Sequence, residues 1–190
     1  MIRILLINNY DSFVYNVKQL LDETGLAETT ILLNDAFDLN EVEKYDRIVI
    51  SPGPGIPLEA GNVKQIIENF KDKKPILGIC LGFQTIGEVF GAQLIPMQQI
   101  YHGHQSKIFI KEPSDRLFNS ITSPFFAGRY HSWALDKATF PEILTITSET
   151  EDGVVMSFKH QHFNVVGVLF HPESIMTAEG KTMIRNWLMS

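Results

Sequence analysis

From residue 2 to residue 90 the chain alternates two hydrophobic periods, and that alternation restricts its possible folds more than any other feature. Apolar runs at 2–7 (IRILLI), 29–33 (TTILL), 47–50 (RIVI) and 75–79 (PILGI) have the length and β-branched content of buried strands. Between them, Phe13, Val14, Val17, Leu20 and Leu21 keep a helical spacing that ends at Gly25, with Asp11 or Ser12 as its cap. The same spacing returns at Val63, Ile66, Ile67 and Phe70 within 58–70, and at Phe83, Ile86, Val89 and Phe90 within 82–90. Strands separated by helices must be joined by right-handed crossovers, so the expected fold class is α/β: an open, mostly parallel sheet flanked by helices.

Beyond residue 92 the pattern changes. Shorter strand candidates at 105–111, 124–129, 143–147, 153–159 and 164–170 have little helical pattern between them, which predicts antiparallel additions to the sheet, before a last helix at about 178–189. With no repeat, linker or low-complexity segment, residues 1–190 read as one domain.

With 44% apolar and 20% charged residues, the composition is globular, and the apolar runs are too short to span a bilayer. A formal charge of -6 without any lysine or arginine block argues against nucleic acid as a partner. The N-terminus has no small-residue cleavage site, and a single cysteine allows no internal disulfide, so a reducing, cytoplasmic setting is expected.

In an open α/β sheet, ligands gather beyond the carboxyl ends of the strands. Three loops there stand out. In Gly78-Ile79-Cys80-Leu81-Gly82, the glycine spacing is that of a sharp strand-to-helix elbow, which would present the Cys80 thiol at a helix N-terminus, where amides and the helix dipole favour thiolate. A lone cysteine is more often an inert core residue, so the elbow needs partners. His171-Pro172-Glu173 supplies them: proline keeps the preceding residue extended, which lets His171 and Glu173 face one site as base and orienting carboxylate. The third loop, SPGPG at 51–55, is either a plain turn or a rigid backbone able to aim an amide at a developing oxyanion, with the Leu81 amide as second donor. None of these loops matches a phosphate or dinucleotide fingerprint, and the histidine pairs His102/His104 and His160/His162 come without a clear third metal ligand.

Taken in order, NNYDSFVYN, SPGPGIP, GICLGFQ, the HG at 102–103, RYHSW and GVLFHPES make the chain similar to the class I, triad-type glutamine amidotransferases over nearly its full length. Within that family, the resemblance is strongest to the small subunits of anthranilate synthase and aminodeoxychorismate synthase. The resemblance implies that Cys80 is the nucleophile toward the carboxamide of L-glutamine, that His171 is the base and Glu173 its orienting partner, and that Gly53 and Leu81 supply oxyanion-hole amides. It further implies that Gln84, with the main chain of Ser132 and Trp133, holds the glutamine, that no metal or organic cofactor is needed, and that the ammonia passes to a chorismate-utilising synthase large subunit. Three positions depart from the usual family residues: Phe83 stands in place of histidine, His104 of lysine and Asn8 of aspartate. Two further readings compete: a free-standing γ-glutamyl amide hydrolase with the same triad, and a catalytically weak binding or regulatory subunit.

Overall fold

The computed structural model describes residues 1–190. Its first half alternates strand and helix: β1 (Ile2–Asn8), α1 (Val14–Asp22), β2 (Ala27–Leu33), a short α2 (Leu39–Val42), β3 (Arg47–Ile50), α3 (Val63–Phe70), β4 (Ile76–Ile79) and α4 (Leu81–Val89). The second half is mainly strand: β5 (Leu94–Pro96), β6 (His104–Ile110), β7 (Phe125–Arg129), β8 (Trp133–Leu135), β9 (Leu144–Thr150), β10 (Val155–His160), β11 (Val165–Val168), then α5 (Gly180–Leu188). Nine strands form one sheet in the order β2-β1-β3-β4-β11-β10-β9-β6-β7, while β5 and β8 pair separately. The strands from β2 to β11 in that order run parallel, and the remainder join antiparallel.

One strand departs from expectation. The pattern predicts an antiparallel addition at 164–170, yet β11 inserts beside β4 and runs parallel to it, with Gly167 opposite Gly78 and Val168 opposite Ile79. The reason lies in its composition: all of Val165, Val166, Gly167 and Val168 are buried, the continuous apolar signature of a strand covered on both faces. The helix expected over 58–70 starts only at Val63, because Pro57–Glu59 forms a 3₁₀ turn and Gly61 takes a positive φ of 54°. β5 and β8 leave no pattern in the sequence, since three residues are too few to carry a period. α1 begins at Val14 with Phe13 as its cap residue, so the Asp11 carboxylate accepts from the Phe13 N–H one step outside the helix.

The core comprises 45 buried hydrophobic residues, including the whole apolar content of β3 and β4. α1 packs beside α5, and α3 beside α4. No helix is long and apolar enough to cross a membrane. Because the connection from β1 runs to β2 on one side and that from β3 runs to β4 on the other, a crevice opens between the carboxyl ends of β1 and β3.

Candidate active site

The elbow after β4 is built by steric exclusion. A Cβ at Gly78 would lie 2.5 Å from the Gly82 carbonyl carbon, and one at Gly82 would lie 2.6 Å from the Ile50 oxygen, so only glycine permits the chain to double back so tightly. Between them Cys80 takes φ 51° and ψ −99°, a conformation that L-residues seldom adopt. Its N–H donates to the Val168 oxygen (2.9 Å), which ties the elbow to β11, and its own carbonyl accepts from Gln84 N–H (3.0 Å) to start α4. The thiol thus stands at a helix N-terminus, 6% exposed.

Beyond β11 the chain reaches His171, held from both sides. Its N–H donates to the Gly128 oxygen (3.0 Å), and its carbonyl accepts from the Thr177 hydroxyl (2.7 Å), which in turn accepts from Gly128 N–H (3.0 Å). Nδ1 of His171 lies 2.6 Å from Oε1 of Glu173, and the two side chains are 3% and 0% exposed. Burial alone pushes the His171 pKa down, but the charge of Glu173, with contributions from the Cys80 thiol and the Glu173 hydrogen bond, carries it well above the ordinary histidine value. Nε2 has no well-formed hydrogen bond, although Cys80 is near enough to act on the ring's charge. With Nδ1 committed to the carboxylate, Nε2 is the nitrogen left for proton exchange.

Cys80 and His171 share the wall of a cleft of about 390 Å³ with Pro52, Gly53 and Pro54 from the end of β3, Tyr10, Asp11, Ser12 and Phe13 from the end of β1, and His102 and Tyr130. The Gly53 N–H makes no hydrogen bond within the protein, so it is available to an oxyanion. Its loop is anchored from behind by Asn9, whose amide donates to the Ser51 oxygen (2.8 Å) and whose N–H donates to the Ser51 hydroxyl (3.0 Å), while Asn34 donates to the Asn9 side chain (3.0 Å). A Cβ at Gly53 would lie 2.5 Å from the Asn9 Cβ. Leu81 is the first residue of α4, where backbone N–H groups have no partner within the helix.

The structure brings Cys80, His171 and Gly53 to one cleft, with Glu173 paired to His171, while Leu81, Gln84, Ser132 and Trp133 are not on its wall. Gln84 is 3% exposed, and its amide donates to the Trp133 oxygen (3.1 Å), while the Ser132 oxygen accepts from Met97 N–H (2.9 Å). Of the three departures from the family pattern, Phe83 is fully buried, with its ring 4.8 Å from that of Phe158. Asn8 accepts from Asp11 N–H (3.1 Å), and the exposed His104 lies 3.2 Å from the Ser106 hydroxyl. No group of three or more histidine, cysteine or acidic side chains is placed to hold a metal; the His160 ring instead accepts from the N–H groups of His162 and Phe163 (both 3.0 Å).

Residue-level reading missed the aromatic lining. Tyr130 packs edge-on against the His171 imidazole with centroids 4.8 Å apart, and Phe13 does so at 5.7 Å. Asp11, half-buried nearby, has its pKa raised by burial against the opposing Phe13 N–H bond. The available signal was positional, for Tyr10 to Phe13 directly follow the carboxyl end of β1 at the topological switch.

The family described as glutamine amidotransferase class-I matches residues 5–190. The chain is 42% identical over 189 residues to the bifunctional protein TrpGD of Thermotoga maritima, covering 98% of this chain and 32% of that longer protein. It is 41% identical over 187 residues to the aminodeoxychorismate/anthranilate synthase component 2 of Bacillus subtilis, covering 97% and 95% of the two chains. Its fold superposes on the crystal structure of a glutamine amidotransferase from Thermotoga maritima with a TM-score of 0.78 at 17% identity, over 98% and 96% of the chains. By its sequence, this chain belongs to the class-I glutamine amidotransferases.

Proposed function

We propose that residues 1–190 act as a single glutaminase domain that releases ammonia from L-glutamine for a chorismate-utilising synthase, with Cys80, His171 and Glu173 as its triad. The observation that most supports this is the buried His171–Glu173 pair, which leaves Nε2 free in a cleft shared with a thiol at a helix N-terminus. The likeness to a Bacillus subtilis component 2 over almost the full length of both chains supports the synthase as partner. The single cysteine, which allows no internal disulfide, supports a reducing, cytoplasmic setting.

The chemistry runs in two halves. Nε2 of His171 holds the proton given up by the Cys80 thiol, an ion pair that the raised His171 pKa favours, and Sγ forms a bond to the carboxamide carbon of glutamine. The oxygen of the tetrahedral adduct gathers negative charge and accepts from the Gly53 and Leu81 N–H groups. When the C–N bond breaks, the imidazolium returns its proton to the leaving nitrogen, giving ammonia and a glutamyl thioester. Water then attacks the thioester with His171 again taking a proton, and the C–S bond breaks to release glutamate and restore the thiol. Free ammonia is mostly protonated at neutral pH, so direct transfer to a docked acceptor preserves the reactive form.

The test is glutamate release from glutamine by the purified chain alone, then with the synthase subunit of the same organism and chorismate. Activation by the synthase, together with an amino-aromatic or aminochorismate product, is the expected result. Equal turnover with and without it would favour the free-standing hydrolase, and no turnover in either case would favour a binding subunit.

A further inference from the structure

Behind the triad lies a second polar chain that the reaction scheme does not use. Arg129 ends β7 and is 1% exposed, and no carboxylate pairs with it in the protein. Its guanidinium lies 3.5 Å from the centroid of the Tyr101 ring, and its Nε donates to Nε2 of His131 (3.1 Å). His131 is itself 4% exposed, and its Nδ1 lies 3.0 Å from the Trp133 oxygen.

These contacts fix the state of the imidazole. Arginine can only donate, so Nε2 of His131 must be the bare acceptor. A carbonyl can only accept, so Nδ1 must carry the hydrogen and donate to Trp133. Burial, reinforced by the charge of Arg129, drives the His131 pKa to about 3, which keeps this single neutral tautomer throughout the physiological range. The Trp133 oxygen then receives two hydrogen bonds, from His131 and from Gln84.

Consecutive residues of an extended segment face opposite ways. While Arg129 and His131 anchor residues 129–133 from one side, Tyr130 between them faces the other, lines the cleft and packs on His171. We infer that His131, polarised by Arg129, is a positioning residue for glutamine: its Nδ1–H fixes the Trp133 carbonyl and so the course of the segment 130–133, whose Tyr130 lines the cleft. The inference rests on the reading of Ser132 and Trp133 as the main chain that holds glutamine, and it goes beyond it by naming what fixes that main chain.

Two measurements on the full chain in complex with its synthase test it. Replacing His131 by Phe keeps the ring volume and removes the donor; loss of one such hydrogen bond should raise the glutamine KM on the order of tenfold, with kcat moving less than about threefold. His131→Asn retains an N–H near the Nδ1 position and should recover most of that loss, which a merely space-filling role would not do. Ammonia-dependent synthesis, which bypasses the glutamine site, reports that the variants are folded. Separately, long-range 1H–15N spectra of the wild-type chain labelled in histidine should show one neutral Nδ1–H imidazole that does not titrate between about pH 5.5 and 8.5.

An unchanged KM in folded His131→Phe, a joint collapse of kcat and KM, or an Nε2–H or protonated His131 near neutral pH would each overturn the inference. Should the wild-type complex fail to hydrolyse glutamine, the glutaminase reading falls, and the tautomer still decides whether the polar chain exists as described.

Discussion

Nδ1 of His171 and Oε1 of Glu173 are 2.6 Å apart with both side chains almost sealed from water, while the second carboxylate oxygen, Oε2, has no partner. The pair is therefore asymmetric. One oxygen sets the direction of the imidazole, and the other adds charge that no donor neutralises, which helps to explain why the His171 pKa ends above its ordinary value despite burial.

Glu173→Gln should keep the shape and remove that charge. With burial then the dominant influence, the His171 pKa falls, and glutamine-dependent turnover should drop by at least about a hundredfold. Stability follows with a definite sign: a histidine pKa raised by folding stabilises in full below about 6.5, and the contribution fades as pH rises through the folded value. The deficit of the variant, about 2 kcal/mol at pH 6, should shrink at alkaline pH in urea titrations run at several pH values.

Cys80→Ala should abolish glutamine-dependent synthesis in the complex and leave ammonia-dependent synthesis intact. A parallel loss of both would mean that Cys80 supports the assembly rather than the chemistry.

Because Cys80 holds φ 51° and ψ −99°, Cys80→Gly should be more stable than Cys80→Ala by about 1–2 kcal/mol, against the usual entropic disadvantage of glycine. Thermal unfolding of the two inactive variants side by side would measure the strain stored at the elbow.

A methyl group at Gly180 would lie 1.8 Å from the Pro172 oxygen. Gly180→Ala, at the start of α5 and outside the cleft, should push the His171-Pro172-Glu173 turn out of register. The expected result is a destabilisation of roughly 1–3 kcal/mol and a fall in kcat of at least about tenfold, read by calorimetry and glutamate release.

Phe83→His would restore the usual family residue at a site that here is fully buried against Phe158 and Gly167. An imidazole there has no evident hydrogen-bond partner, and the substitution should cost about 2 kcal/mol in chemical denaturation.

Much of this architecture was legible beforehand because its signals are local. The period-switching runs of the first half, the glycines around Cys80 and the proline after His171 each act within a few residues, and all three lie where their patterns place them. What escaped depended on distant neighbours. That β11 runs parallel to β4 rests on burial of all four of its residues, whereas the lack of a helical pattern before 164–170 points to an antiparallel addition. Tyr130 and Phe13 reach His171 from two separate strand ends, and the Arg129–His131–Trp133 chain has polarity only because Arg129 is enclosed.

The insertion of β11 beside β4 also has a temporal meaning. A ribosome delivers the elbow thiol long before it delivers β11, which lies between β4 and β10, and the imidazole that follows that strand. A nascent chain with its C-terminal segment still in the exit tunnel therefore holds a cysteine without a base. The two groups can meet only once β11, the last strand in chain order, has paired with β4, the last strand of the block that the first half of the chain forms.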